Sequence, residues 1–117
     1  MDRMFMDCRT LVSGPQIPAN PYISCTEMFE NCYKLVNAPD LAAPVVGEFG
    51  YAGMFENCNA LVSPPRIDAT VFGSGACNMM FAFCTSLTSR AVLNVIDASA
   101  NAFDQMYTGC TSLPPES

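Results

Sequence analysis

The sequence contains no histidine and no tryptophan, and only five of its 117 residues are lysine or arginine. Histidine is the commonest general base and the commonest protein ligand for metals, so its absence weighs against hydrolytic and zinc chemistry. Eleven acidic residues give a formal net charge of −6, and no cluster of basic residues is present. Affinity for nucleic acid depends on neutralising phosphates, and anionic lipid attracts polybasic segments. We therefore expect no nucleic acid and no membrane surface as a partner.

Long apolar runs are also missing, although half of the residues are apolar. A membrane span needs about 18 consecutive apolar residues, and runs such as 41–47 are interrupted by Pro44. No basic region followed by an apolar stretch opens the sequence, so we expect no signal peptide and no membrane insertion. The length suits a single domain, since domains of about 100–150 residues are the commonest.

A five-fold internal repeat dominates the sequence. The pattern Met-aromatic-x-x-Cys-x-x-Leu recurs with 24, 26, 26 and 26 residues between successive methionines. Such self-similarity predicts a solenoid, in which each unit buries its apolar face against its neighbours. We assign residues 1–117 to one solenoid of about 4.5 units of ~26 residues. The repeated positions are Met4, Phe5, Cys8 and Leu11; Met28, Phe29, Cys32 and Leu35; Met54, Phe55, Cys58 and Leu61; Met80, Phe81, Cys84 and Leu87; and Met106, Tyr107, Cys110 and Leu113.

Each unit combines two kinds of pattern. The apolar positions from Tyr51 to Leu61 have helical spacing, which predicts about two helical turns per unit. After the leucine the pattern becomes nearly alternating and contains prolines, which indicates a short extended strand. A variable segment such as 70–75 then predicts a loop. Together these features predict an α/β repeat solenoid with units in the ~20–29-residue range of leucine-rich repeats.

The repeat resembles the BspA-like leucine-rich repeats of bacterial surface proteins. The resemblance rests on Met-Phe-x-x-Cys-x-x-Leu followed by proline and Leu/Ile-x-Ala, and on Cys-Thr-Ser-Leu at 84–87 and 110–113. Ala91 in place of the repeat proline and Tyr107 in place of phenylalanine depart from the pattern. The resemblance implies a curved right-handed solenoid with a parallel sheet on one face and short helical turns on the other. It also implies an extracellular location on a bacterial cell, with a role in adhesion or recognition.

The seven cysteines are expected to be free thiols. Five of them occupy the repeat position, no Cys-x-x-Cys pair exists, and no histidine is available to complete a metal site. Equivalent positions in stacked units point side by side into the core, whereas a disulfide needs converging Cβ vectors. The repeat cysteines and methionines are therefore interpreted as core-filling groups, with no metal and no cofactor.

The segment after each leucine is the candidate binding surface. If the positions four and six residues after the leucine point inward, those one, three and five residues after it face solvent. An exposed valine column suits contact with a protein, although β-prone residues also simply suit a strand. Acidic residues near the helical turns, such as Glu30 and Glu56, are expected to form a solvated face. The candidate binding residues are Val12, Gln16, Val36, Asp40, Val62, Arg66, Thr88 and Arg90.

Two functional hypotheses remain open. The first is a non-enzymatic module on the cell surface that binds a host protein or glycan through the sheet face. The second is a structural spacer or decoration module, on a cell surface or a virion, whose partner is the rest of its own assembly. No catalytic residues are assigned, because nothing supplies a base beside a low-pKa cysteine.

Overall fold

The structure is a computed structural model that describes residues 2–20 and 23–114. Its three strands form an open parallel sheet in the order β1-β2-β3. Val45 lies opposite Val71, and Val71 lies opposite Asp97, so the register equals the spacing between repeat methionines. A parallel sheet of short strands is confirmed, but its position differs from the prediction. Strand β2 lies within residues 70–75, which were predicted to form a loop, whereas the predicted strand at 62–67 forms only an isolated bridge through Ile67. The strands are β1 (Val45–Val46), β2 (Val71–Phe72) and β3 (Asp97–Ala98).

Prolines interrupt the extended segments that lead to β1 and β2, whereas the segment before β3 contains none. Proline has no N–H group and cannot donate to a neighbouring strand. Pairing continues between the prolines as isolated contacts: the N–H of Leu41 donates to the Arg66 carbonyl at 2.8 Å, and the N–H of Asp68 donates to the Leu41 carbonyl at 2.9 Å. A parallel bridge between Ser13 and Asn37 extends the same arrangement toward the N-terminus.

The predicted helical turns are not helices. Within residues 2–20 and 23–114 the structure contains no helix, and the segments 2–7, 26–31, 48–57, 74–83 and 100–109 are successive hydrogen-bonded turns. We call them the turn segments. In the second one, alternate N–H groups bond locally, as from Met28 to Cys25 and from Glu30 to Glu27. The intervening N–H group of Phe29 donates instead to the Met54 carbonyl of the next unit, at 2.8 Å.

Positive φ angles explain why no helix forms. Glu27 and Asn31 have φ of 54° and 63°, and the corresponding residues of other units share this geometry. Left-handed residues stop an α-helix and occur where type II turns require them. Helical bonding would also keep nearly every N–H within its own segment. In the turn segments, alternate backbone N–H groups instead donate to carbonyls of the neighbouring unit.

The repeat aromatic residues form one continuous stack through the core. Adjacent rings lie 5.4–5.6 Å apart between centroids, with planes within 8° of parallel. Offset stacking of this kind is favourable beyond the area it buries. The stack runs through Phe5, Phe29, Phe55, Phe81 and Tyr107.

The repeat cysteines form a second column, which is linked to the aromatic stack. The thiol of Cys58 donates to the Phe29 carbonyl at 3.2 Å, and the thiol of Cys84 donates to the Phe55 carbonyl at 3.0 Å. All seven cysteines of the chain are free thiols in the structure. Burial raises the pKa of Cys25 to about 11 and that of Cys77 to about 12, so both stay protonated at neutral pH.

The core lies between the sheet and the turn segments. Side chains from every described unit enter it, and no charged or polar residue is buried there among the described residues. The residues assigned to the repeat core are fully buried, namely Met28, Phe29, Cys32, Leu35, Met54, Phe55, Cys58, Leu61, Met80, Phe81, Cys84 and Leu87.

Replacement of Cys58 by serine should destabilise the fold. The substitution places a hydroxyl at a fully buried position, and the shorter C–O bond holds it farther from the Phe29 carbonyl than the thiol. We expect the free energy of unfolding to fall by about 1–3 kcal/mol in urea denaturation.

Cys8→Ser is the matched control for this prediction. Cys8 occupies the same repeat position, but it is only half-buried and its thiol donates to no described carbonyl. Its replacement should change stability much less. Equal losses in the two variants would contradict the role assigned to the buried thiol column.

Candidate binding face

The exposed valines lie in one column, as expected from the alternation of the extended segments. Val12, Val36 and Val62 are 50%, 46% and 45% exposed, and Thr88 continues their line in the fourth unit. The N–H of Val36 donates to the Val12 carbonyl at 2.8 Å, and the N–H of Thr88 donates to the Val62 carbonyl at 3.0 Å. These bonds hold the side chains in line at the spacing of neighbouring units. We call this row the valine column.

A charged row runs beside the valine column and is centred on Arg66. Its guanidinium lies 3.0 Å from an Asp68 carboxylate oxygen and 3.6 Å from one of Asp40. All three side chains are exposed, so each ion pair contributes little to stability and is screened by salt. Gln16 extends the row toward the N-terminus and is also exposed. Arg66 is therefore largely neutralised by the protein itself.

Arg90 differs from the other candidate binding residues. It is half-buried, and its guanidinium lies 5.7 Å from the centre of the Tyr107 ring, within the range of a cation–π interaction. The Tyr107 hydroxyl in turn accepts the N–H of Ala91 at 2.9 Å. Arg90 thus holds the last described turn segment against the extended segment, and it offers less to a ligand than its sequence position suggests.

Two shallow grooves flank Arg66 on this face. The first has a volume of about 340 Å³ and is lined by Gly14, Gln16, Ile17, Pro39, Asp40, Ala42 and Arg66. The second has a volume of about 480 Å³ and is lined by Ser63, Pro64, Pro65, Arg66, Ser89, Arg90 and Val92. Both are open, and they are suited to side chains of a surface partner more than to an enclosed small molecule.

The largest exposure of apolar side chains occurs next to β3. Val92 and Ile96 are 78% and 80% exposed, and both residues of β3 are exposed at the edge of the described sheet. Val92 stands five residues after Leu87, a position that was expected to face solvent, whereas Ile96 was not assigned to the candidate face. The sequence signals this exposure by two departures from the repeat. Val92 occupies the position of Asp40 and Arg66 in earlier units, and Ile96 occupies the position of Pro44 and Thr70.

An acidic cluster lies on the turn segments, away from the valine column. These residues were predicted to be solvated, but Glu27, Glu30 and Glu56 are half-buried. Oε2 of Glu30 is buried and has no hydrogen-bond partner among the described residues. Burial and then the neighbouring Glu27 raise the pKa of Glu30 to about 7. A hydrogen bond from Glu30 and then the guanidinium of Arg3, 2.9 Å away, lower the pKa of Glu27. Burial, followed by the charge of Glu27, also raises the pKa of Glu56.

The geometry gives no indication of a metal centre. No group of three or more potential ligands is assembled among residues 2–20 and 23–114. The same part of the chain has no helix of the length and apolar character needed to cross a membrane. Comparisons of this chain with protein-family models, curated proteins and solved structures gave no match.

The acidic cluster should make stability fall as pH rises. Folded Glu30 keeps its proton up to about pH 7, whereas the unfolded chain releases it near the ordinary value of 4.5. The folded state therefore binds more protons between these values, and the free energy of unfolding decreases across that window. Urea denaturation at several pH values should show this decline in the parent chain and a weaker one in Glu30→Gln.

Glu48→Gln is the control for the charge change alone, because Glu48 is exposed. It should retain the decline seen in the parent chain. An undiminished decline in Glu30→Gln would contradict the assignment of this pH dependence to Glu30.

Proposed function

We propose that the chain is a right-handed leucine-rich-repeat solenoid that acts as a non-enzymatic recognition module. Two observations support stacked units: the strands pair at the repeat spacing, and the aromatic rings form a continuous stack. The repeated motif supports the likeness to BspA-like repeats. The resemblance suggests a bacterial cell surface as its location. Buried and protonated thiols suit that setting, because oxidation requires accessible thiolates.

The valine column is the observation that carries this proposal. Aliphatic side chains that stay about half exposed in three successive units form a linear apolar strip, with charged groups along one side. Protein interfaces commonly combine an apolar centre with a polar rim. The partner that fits this surface is another protein, and a glycan is the alternative outcome of a binding screen. The flanking grooves would take side chains of that protein.

The second candidate function is a structural spacer or decoration module of a larger assembly, including a virion surface. The ion pairs around Arg66 favour it, because they satisfy this charge within the molecule and leave less for a ligand. A spacer does not need to bind a ligand through the valine column. Its exposed valines would therefore be replaceable without loss of binding.

A screen with a double variant separates the two candidates. The folded chain is tested on a sensor surface against matrix proteins, mucin glycans and the chain itself. We expect saturable binding to a protein, weakened about 5-fold to 30-fold by Val36→Ser with Val62→Ser, because burying two partly exposed valines contributes roughly 1–2 kcal/mol.

Phe49→Asn is the matched control for this screen. Phe49 is 46% exposed but lies on a turn segment, and asparagine tolerates the positive φ of 54° at this position. The control should bind like the parent chain. Absence of any ligand, or equal binding by the double variant, would exclude recognition through the valine column and favour the spacer.

A further inference from the structure

The backbone hydrogen bonds between turn segments all run in one direction. The N–H of Phe29 donates to the Met54 carbonyl, that of Phe55 to Met80 and that of Phe81 to Met106, at 2.8–2.9 Å. The same direction holds for the donors two residues earlier and two residues later in the turn segments. Each unit therefore presents donors to the unit that follows and acceptors to the unit that precedes it. A stack with this polarity has two different ends.

The last described turn segment presents donors at its outer side. The N–H groups of Gln105, Tyr107 and Gly109 occupy the donating positions, and no acceptor for them exists in the described part of the chain. The Tyr107 carbonyl accepts the N–H of Cys110 but no thiol, unlike the preceding repeat carbonyls. One face of the Tyr107 ring is stacked on Phe81. We call this surface the donor end.

The first turn segment presents the complementary groups. The carbonyls of Asp2, Met4 and Met6 occupy the accepting positions and receive no bond from any described residue. The Met4 side chain is 61% exposed, whereas the repeat methionines of the three middle units are fully buried. Cys8 is half-buried, with a thiol that donates to no described carbonyl, and Phe5 is stacked only on Phe29. We call this surface the acceptor end.

We infer that the partner of these ends is a second copy of this chain, joined donor end to acceptor end. In register, the N–H groups of Gln105, Tyr107 and Gly109 meet the carbonyls of the other copy's first turn segment. These acceptors are Asp2, Met4 and Met6. The join also directs a Cys8 thiol to the Tyr107 carbonyl. The backbone bonds and the thiol bond of an internal junction between turn segments are thereby repeated across the join.

The geometry of the join determines the kind of assembly. Different surfaces meet, so the contact is head-to-tail, and each added copy leaves a free donor end and a free acceptor end. Growth is therefore open, without a closed dimer. The contact lies on the turn segments, because the free donors and acceptors are located there. The free groups are also solvated in the monomer, which reduces the net gain of each bond. We expect a weak, reversible association that depends on concentration.

Sedimentation equilibrium of the 117-residue chain tests this inference. The average mass of the parent chain should rise with concentration from the micromolar to the millimolar range and pass the dimer without a plateau. Met4→Glu should remain monomeric, because it introduces a charge at the acceptor end. Val62→Glu places the same charge on the valine column, which lies outside the join, and should associate like the parent. A parent chain that is monomeric throughout would overturn the inference.

Thiol labelling provides a readout of where the copies meet. Cys8 is the one half-exposed thiol among the seven, all of which are described. In dilute solution it should react first with a small thiol reagent, and at high concentration its reaction should slow in the parent but not in Met4→Glu. Association that leaves Cys8 equally reactive would overturn the inference and indicate pairing elsewhere, such as at the exposed edge of β3. A thermal melt of Met4→Glu like that of the parent excludes misfolding as the cause of its monomeric state.

Discussion

The carbonyl of the repeat phenylalanine is the point on which the rest of the structure depends. The Phe29 carbonyl accepts the N–H of Cys32 within its own turn segment and the thiol of Cys58 from the next one. The carbonyl oxygen of Phe29 therefore stabilises both the local turn and the contact with the next unit. Serine at the cysteine position would shorten the donor, and alanine would remove it. This geometry gives a physical reason for cysteine in the four units that follow the first.

Hydrogen bonding at the repeat phenylalanine also determines the alignment of the aromatic stack and of the valine column. When the N–H of Phe29 bonds to Met54, the two units can differ in register only by one whole repeat. The rings then meet at about the same distance at each junction, and equivalent side chains of the extended segments lie beside one another. The valine column is therefore a consequence of stacking in the core, even though its residues face solvent. Binding through that column would depend on buried residues that never touch the ligand.

The sequence allowed the parallel pairing and the inward and outward positions to be predicted, because both follow from the repeat period. It did not allow the turn segments to be distinguished from helices. Apolar spacing near Met54 and Phe55 suits either structure, since both bury one side of a segment. The distinguishing signal was Asp7, Asn31 and Asn57 at one repeat position, since these residue types tolerate positive φ. Phe83 at the same position, with φ of 62°, weakens that signal and shows packing overriding local preference.

The candidate site was predictable in part for a related reason. Exposure of Val36 and Val62 follows from alternation within a unit, which a sequence displays directly. The roles of Arg90 and Ile96 depend on what lies beside one particular unit. Arg90 is held over Tyr107, which replaces the repeat phenylalanine only there, and Ile96 is exposed beside the edge strand of the described sheet. Deviations from the repeat therefore mark the places where local contacts and exposure differ, whereas the repeat itself indicates the fold.

Lateral recognition and axial stacking involve separate surfaces and would reinforce each other. The valine column runs along the stacking direction, so copies joined end to end would present successive columns to one extended partner. A surface of half-exposed valines and self-paired charges offers modest affinity per copy. Linking such sites raises the overall affinity through effective concentration without any new contact. The backbone hydrogen bonds between turn segments have one direction, and this direction allows copies to join end to end. The fold of a unit thereby influences how many valine columns an assembly presents to a partner.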